Sequence, residues 1–214
     1  MEGRTSVTIE PRKKPKQDRS HSMVERILGA ARELLADDST KGLTTSAIAE
    51  RAGLSVGSLY QYFPNKEAIV LELARRWLAA FRPIPLAYAT KDIPRTWAAF
   101  SREFRDFTQA IAAMYEENRA LLPTIEALQS HPELRRIAEE HDHAIIETHT
   151  AWLLKADPEL GAATARRLGI LLLETGHICF AVALTKGHSP YRLVVEDVII
   201  MQEALLRAHL KMPE

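Results

Sequence analysis

The sequence predicts an all-α fold: an N-terminal three-helix domain built around a helix-turn-helix, followed by a C-terminal helical domain. Two observations carry that prediction. Apolar residues recur at three- and four-residue steps through most of the chain, from Met23, Ile27, Ala30, Ala31 and Leu34 to Val194, Val198, Met201 and Leu205. That is the spacing of one face of an α-helix. Capping and breaking residues punctuate the pattern, with Thr45, Ser55 and Asn65 at expected starts and Gly53 at an expected stop.

Residues 1–19 are polar and hold Pro11 and Pro15 beside the cluster Arg12, Lys13, Lys14, Lys16 and Arg19. Such a stretch cannot bury enough apolar surface to order itself, so a flexible basic arm is expected. Two readings stay open: an extension that reaches a DNA groove, or a solvated tail. Helix 1 is expected from Ser20 or Ser22 to Ala36, its apolar stripe packing under the helix-turn-helix. Asp37 to Gly42 reads as a loop.

The stretch 43–66, LTTSAIAERAGLSVGSLYQYFPNK, is the centre of the chain. Ala47, Ile48, Ala52, Leu54 and Leu59 give it an apolar side. Thr44, Thr45, Ser55, Ser58, Tyr60, Gln61, Tyr62 and Lys66 give it a polar side rich in hydroxyls, suited to phosphate oxygens and base edges. Thr45 can cap a helix, Gly53 can end it in the left-handed conformation, and Ser55 can cap the next. A helix, a short turn containing Gly and a second helix make the helix-turn-helix pattern, whose second helix uses its N-terminal residues in the major groove. Those residues are Ser55, Val56, Gly57, Ser58, Tyr60 and Gln61. Gly57 costs roughly 1 kcal/mol of helix propensity against Ala, which close approach of backbone to DNA would explain. Phe63-Pro64 stops the helix, and Asn65 caps a fourth from Lys66 to Phe81. At that first turn Lys66 and the backbone amides together favour a phosphate.

From Leu43 to Ile69, with the preceding VERILGAARELLA, the chain closely resembles the DNA-binding domain of TetR-type transcriptional repressors. Gly53, Leu59-Tyr60, Tyr62-Phe63 and Asn65-Lys66 fall in the family's order. The resemblance covers about the first third of the chain. It implies contact with double-stranded operator DNA, and a C-terminal domain that binds a small-molecule inducer and forms the dimer. Helix 4, joining the two domains, would be the lever between ligand and DNA. The DNA-binding domain is placed at 20–82 and the ligand-binding and dimerisation domain at 83–214.

The boundary is set by Arg82-Pro83-Ile84-Pro85, read as a helix breaker. A long helix is expected from about Ile93 to Asn118, with Trp97, Phe100, Phe104, Phe107, Ile111 and Met114 at helical steps. Four large aromatics on one stripe serve either core packing or the lining of a hydrophobic ligand cavity. Pro123 interrupts a short helix around Leu121 to Gln129. The next helix, Pro132 to Ala156, carries Leu134, Ile137, His141, Ile145, Thr148 and Trp152 on one face. There His141 and Thr148 are either satisfied core residues or ligand contacts. Asp157-Pro158 is read as opening a helix to about Thr185 that is apolar nearly all round, with Glu174 and His177 able to touch. The last helix, Tyr191 to Leu210, is apolar on more than one face. These two C-terminal helices are the candidates for a two-fold, four-helix homodimer interface. The ligand candidates are therefore Trp97, Phe100, Phe104, Phe107, His141, Thr148, Trp152, Glu174 and His177, and the inducer is expected to be partly hydrophobic.

Lys and Arg number 28, matched by 28 Asp and Glu, so the whole chain has no gross nucleic-acid signature. The distribution says more: residues 1–80 hold 13 basic against 10 acidic residues, a small excess of the sign that favours DNA. One cysteine, Cys179, permits no intrachain disulfide and fits a reducing cytoplasm. No apolar run near the start has the character of a signal peptide, and Leu168 to Leu184 is interrupted by Glu174 and His177, so no membrane partner is expected.

No Gly-rich phosphate loop, Gly-x-Ser-x-Gly or HExxH is present, so neither catalysis nor a cofactor is expected. Glu174, His177 and His141 could meet across helices, but the ExxH spacing occurs once where a di-metal site needs two copies, and no metal is expected. The expectation is a cytoplasmic, sequence-specific repressor released from a palindromic operator by a ligand. Other readings are an activator, a ligand-free regulator, or a helical-bundle enzyme or metal-binding protein with an incidental DNA-binding-like module.

Overall fold

The computed structural model describes residues 18–36, 43–81, 83–89, 92, 94–122, 132–187 and 189–214. The described residues hold helices and no strand, in two compact units. The first comprises Met1–Trp77 with Ala120–Leu134, the second Leu78–Arg119 with Arg135–Glu214. The division thus falls within the fourth helix, after Trp77, rather than at the proline pair.

The first unit contains α1 (Asp18–Ala36), α2 (Thr45–Arg51), α3 (Val56–Tyr60) and most of α4 (Lys66–Phe81). Helix α1 starts two residues inside the expected basic arm, whose other residues lie outside the described ones, as does the expected loop 37–42. Val24, Ile27, Leu28 and Ala31 of α1, Ile48 and Ala49 of α2, Leu59 of α3, and Ile69 and Leu73 of α4 are all buried. Phe63, just after α3, is fully enclosed. Each large apolar side chain among them stabilises the unit by about 1.5–3 kcal/mol through removal from water. Helices α1 and α4 are also tied by Arg76, which pairs with Glu25 at 2.7 Å and with Glu72 at 2.9 Å.

The second unit holds α5 (Pro83–Ala89), α6 (Trp97–Glu117), α7 (Pro132–Ala156) from Arg135 on, α8 (Ala162–Lys186) and α9 (Tyr191–Arg207). Its core is a layer of Phe100, Phe104, Trp152, Leu153, Leu168, Leu172 and Leu206. Phe100 stacks on Trp152 at 4.5 Å between centroids. Two buried or half-buried polar devices fix the packing. Gln202 donates to the carbonyl of Leu172 and the hydroxyl of Thr175, both at 2.9 Å, joining α9 to α8. Arg105 of α6 pairs with Glu203 and Glu196 of α9.

Three sequence expectations are corrected. Residues 83–89 form a helix rather than a break: Pro83 and Pro85 both lie in its first turn, where a missing N–H loses no intrahelical bond. The long aromatic helix begins at Trp97, because Thr96 is extended and its hydroxyl accepts from the Ala99 amide. Asp157-Pro158 does not open a helix. The buried Asp157 carboxylate accepts from the amides of Glu159 at 3.0 Å and Lys211 at 2.8 Å, which holds a turn, and α8 starts at Ala162. The expected helix to Gln129 lies outside the described residues from Pro123 on.

Candidate functional site

Local capping chemistry sets the bounds of the helix-turn-helix. The cap of α2 is Thr44, not Thr45: Thr44 is extended, and its hydroxyl accepts from the Ala47 amide at 3.1 Å. Thr45 is then the first helical residue. At the other end Gly53 has φ 64°, its amide donates to Glu50 and the Leu54 amide donates to Ala49. That pair of bonds is the Schellman arrangement, and glycine meets its left-handed requirement without strain. Ser55 caps α3, accepting from the Ser58 amide at 3.1 Å.

One residue that sequence reasoning missed secures this turn. Arg26 of α1 donates to the carbonyl of Ala52 at 2.6 Å and to that of Gly53 at 3.4 Å. A bond to a charged donor is worth about 1.5–3 kcal/mol where it is shielded from water. Nothing in the local pattern of α1 separates Arg26 from other polar-face residues such as Arg32.

Thr44, Ser55, Val56, Gly57, Tyr60, Gln61 and Lys66 are exposed, while Thr45, Ser58 and Tyr62 are half-buried. The Thr45 hydroxyl lies 3.2 Å from the Tyr60 hydroxyl, linking α2 to α3, and the Ser55 and Ser58 hydroxyls are 2.8 Å apart. A Cβ built on Gly57 would approach nothing closer than Ser55 Oγ at 3.9 Å. The chain's own packing therefore does not require glycine there. Asn65 caps α4 by accepting from the Ala68 amide at 2.8 Å, which leaves Lys66 exposed in the first turn.

In the second unit the ligand candidates separate into groups. Phe107, Thr148 and Trp152 line a small, nearly apolar pocket together with Tyr88 and His149, with a cavity volume of about 10 Å³, room for roughly one water. Phe100 and Phe104 are instead packed into the core, with Trp97 against it. Trp97 also lies under the Arg207 guanidinium, 5.0 Å from the ring centroid. His141 and Phe81 meet edge to face at 5.7 Å. Nearby, the Tyr115 hydroxyl is hydrogen-bonded to Nδ1 of His177 at 2.5 Å. Burial raises the Tyr115 phenol above its ordinary value, and the charge of Asp142 adds to this. Burial likewise raises the Asp142 carboxyl, which His177 opposes and Glu174 reinforces. Glu174 itself is exposed on α8.

Tyr88 and His149 were missed as pocket residues. Tyr88 falls just past the proline pair read as a break. His149 had a usable signal: it stands four residues after Ile145 and three before Trp152, on the same helical face. It is buried, and burial lowers its imidazole to about 4, against which the bond to the Gly169 carbonyl acts. Among the described residues no group of three or more His, Cys, Asp or Glu is gathered to hold a metal.

A capped, glycine-turned helix pair presenting hydroxyls and an amide defines the class: a helix-turn-helix DNA-binding module. Residues 27–73 match the family described as bacterial regulatory proteins, tetR family. Residues 27–73 therefore carry a DNA-binding domain similar to that family's. The chain is 29% identical over 154 residues to the class C tetracycline repressor protein of Escherichia coli, covering 72% of this chain and 64% of that one. It is 26% identical over 115 residues to an uncharacterised HTH-type transcriptional regulator of Haemophilus influenzae, covering 54% and 59%. The chain thus spans about three-fifths of the length of these curated relatives. Among solved structures, Thermus thermophilus FadR, a TetR family transcriptional repressor in complex with lauroyl-CoA, superposes with TM-score 0.57 at 24% identity, over 89% of this chain and 96% of that one. The FadR fatty acid degradation regulator of Bacillus halodurans has TM-score 0.61 at 18% identity, over 93% and 100%.

Proposed function

We propose that this chain is a sequence-specific transcriptional repressor that acts in the cytoplasm as a homodimer and leaves its operator when a small molecule binds the C-terminal unit. The observation that carries the reading is the outer surface of α3, where exposed Ser55, Gly57, Tyr60 and Gln61 and half-buried Ser58 stand together over a fully buried Leu59. Side chains of this kind hydrogen-bond phosphates and base edges, and Gly57 lets the backbone approach them. Lys66 and the first amides of α4 suit a phosphate. A two-fold dimer would carry two such surfaces to half-sites one helical turn, about 34 Å, or a multiple of it apart. Helix α4 carries the chain from one unit into the other, so it is the covalent route by which a ligand can bias the DNA-binding unit. The ligand acts only through its differential affinity for two states of the protein.

The dimer rests on α8 and α9. Leu171, Ile178 and Val182 lie exposed along one stripe of α8, and Leu193, Ile200 and Met201 are exposed on α9. Helix α8 is long and apolar enough by length and composition to cross a membrane. Glu174, exposed between Leu171 and Ile178, suits a protein partner with a matching polar group better than a hydrocarbon core.

The test is selection of bound sequences from random duplex DNA by the purified chain, followed by a salt titration on the enriched sequence. An enriched inverted repeat supports the proposal. Weak, salt-sensitive binding without enrichment overturns it.

A further inference from the structure

Helix α3 has five residues, Val56–Tyr60. A helix that short does not hold itself in place, so its pose follows from what fixes its two ends. One end is held by burial: Leu59 and Phe63 are fully enclosed. The other follows from the turn at Ala52 and Gly53, just before the Ser55 cap. The last carbonyls of a helix have no partner within it. At the end of α2 the amides of Gly53 and Leu54 close back on Glu50 and Ala49. The carbonyls of Ala52 and Gly53 are met from α1 instead: Nη2 of Arg26 donates to the first at 2.6 Å and to the second at 3.4 Å. A Cβ on Gly53 would lie 3.2 Å from that Nη2, so the turn and the guanidinium are in close contact.

The anchor is itself held. Glu25, the preceding residue of α1, accepts from Nη1 of Arg76 on both carboxylate oxygens, at 2.7 and 2.8 Å. Further along α1, Glu33 pairs with Arg51 at the end of α2, at 3.3 Å. Adjacent residues of α1 therefore reach α4 on one side and the turn before α3 on the other.

We propose that Arg26 is a positioning residue for operator recognition: it fixes the turn and so aims Ser55, Ser58 and Gln61 at base edges without touching DNA itself. The inference rests on the reading of the chain as a sequence-specific DNA-binding regulator. Base readout needs donors and acceptors held to a fraction of an ångström, whereas contacts to phosphates supply affinity without sequence information. Loss of Arg26 therefore costs discrimination rather than general affinity for DNA.

The experiment compares the full-length chain with Arg26→Met, which keeps the stem and removes every donor, and with Arg26→Lys, which keeps the charge and can reach one carbonyl. Affinity is measured for the enriched operator and for random duplex over a range of salt, well below the melting temperature that circular dichroism gives for each chain. Arg26→Met should lower operator affinity by about tenfold or more and random-duplex affinity by less than about twofold, with the salt slope unchanged. Arg26→Lys should keep an intermediate preference. A lowered melting temperature with operator preference intact in both variants overturns the inference, because Arg26 would then serve stability alone. Equal losses on both DNAs with a slope shallower by about one unit overturn it as well, by making Arg26 a phosphate contact. Should Arg26→Met not fold, Arg26→Lys decides: partial loss of preference at an unchanged slope supports the inference, and full preference overturns it. An enriched operator bound with unaltered preference by the variants leaves the DNA-binding reading intact. No enriched sequence from the unaltered chain removes that reading, and this role of Arg26 with it.

Discussion

The backbone carbonyl of Gly169 faces Nδ1 of His149 at 3.4 Å because α8 runs unusually close to α7 at that point. A Cβ on Gly169 would lie 3.2 Å from the Ile146 carbonyl oxygen and 3.3 Å from both His149 Cβ and Thr150 Oγ1. One of those neighbours is backbone and yields little. Gly169→Ala should gain up to about 1 kcal/mol of helix propensity and lose more from overpacking, for a net loss of about 1–2 kcal/mol. Urea unfolding of the variant reads this directly. A stabilised Gly169→Ala would mean that the two helices have room to separate.

The same histidine makes stability depend on pH in a defined window. Burial lowers its imidazole to about 4 in the folded chain, against an ordinary value of 6.5. Between those values the unfolded chain binds a proton that the folded chain does not, so stability rises with pH across that window. Acidification from neutrality to pH 4 should therefore remove about 3 kcal/mol through His149 alone. Asp142, raised by burial, acts with the opposite sign, because its folded form holds its proton longer. The difference in urea stability between the unaltered chain and His149→Phe isolates the histidine. Parallel pH profiles for the two would show that His149 titrates normally.

Much of the helix-turn-helix was legible because its determinants are local. Gly53, Ser55 and Asn65 act within four residues of themselves, and sequence separation of that order leaves a readable pattern. The misplacement of the α2 cap by one residue, Thr45 for Thr44, is the ordinary ambiguity of two adjacent threonines. The second unit was legible as helices but not as a site. Phe100 and Phe104 share a stripe with Phe107, and period alone cannot say which of the three turns into a core and which onto a pocket. Tyr88 was hidden by prolines read as a break, whereas the first turn of a helix tolerates them. Arg26 acts on a turn 26 residues away, a distance over which no periodicity carries information.

Gly57 offers a test that separates folding from DNA contact. A Cβ there would meet only Ser55 Oγ, at an ordinary 3.9 Å. Gly57→Ala should therefore raise stability by about 0.5–1 kcal/mol through helix propensity. Its affinity for the selected operator should fall at least tenfold if backbone and DNA approach closely at this point. Unchanged affinity in a folded variant would remove Gly57 from the contact surface.

Lys66 should behave differently from the residues of α3. It is exposed at the start of α4, where a phosphate gains from both the ammonium and the helix amides. Lys66→Ala should weaken binding to operator and random duplex by the same factor. The slope of log affinity against log salt should become shallower by about one unit. Gln61→Ala should instead lower operator affinity by about 1–3 kcal/mol with little effect on random DNA. Equal losses on both DNAs from Gln61→Ala would move that residue to the backbone contacts.

The exposed apolar stripes of α8 and α9 predict where a second copy would sit. Leu171 and Ile178 are separated by seven residues, as are Leu193 and Ile200, so each pair returns to the same side of its helix after two turns. Ile178 is 58% exposed and Ile200 is 52% exposed in the single chain, the most exposed of the large apolar residues on these two helices. Patches of this kind mark interaction surfaces. Ile178→Glu and Ile200→Glu each place a charge where a second copy would bury it, at a cost of several kcal/mol on an unpaired ion. Each should raise the dimer dissociation constant by at least about 100-fold, a change of roughly 3 kcal/mol. Both substitutions fall on the outside of the single chain, so monomer folding should be retained, as circular dichroism would show. Sedimentation should then report a folded monomer, and affinity for an inverted-repeat operator should fall steeply while affinity for a single half-site holds. A dimer that survives both substitutions would place the two-fold axis elsewhere on the chain.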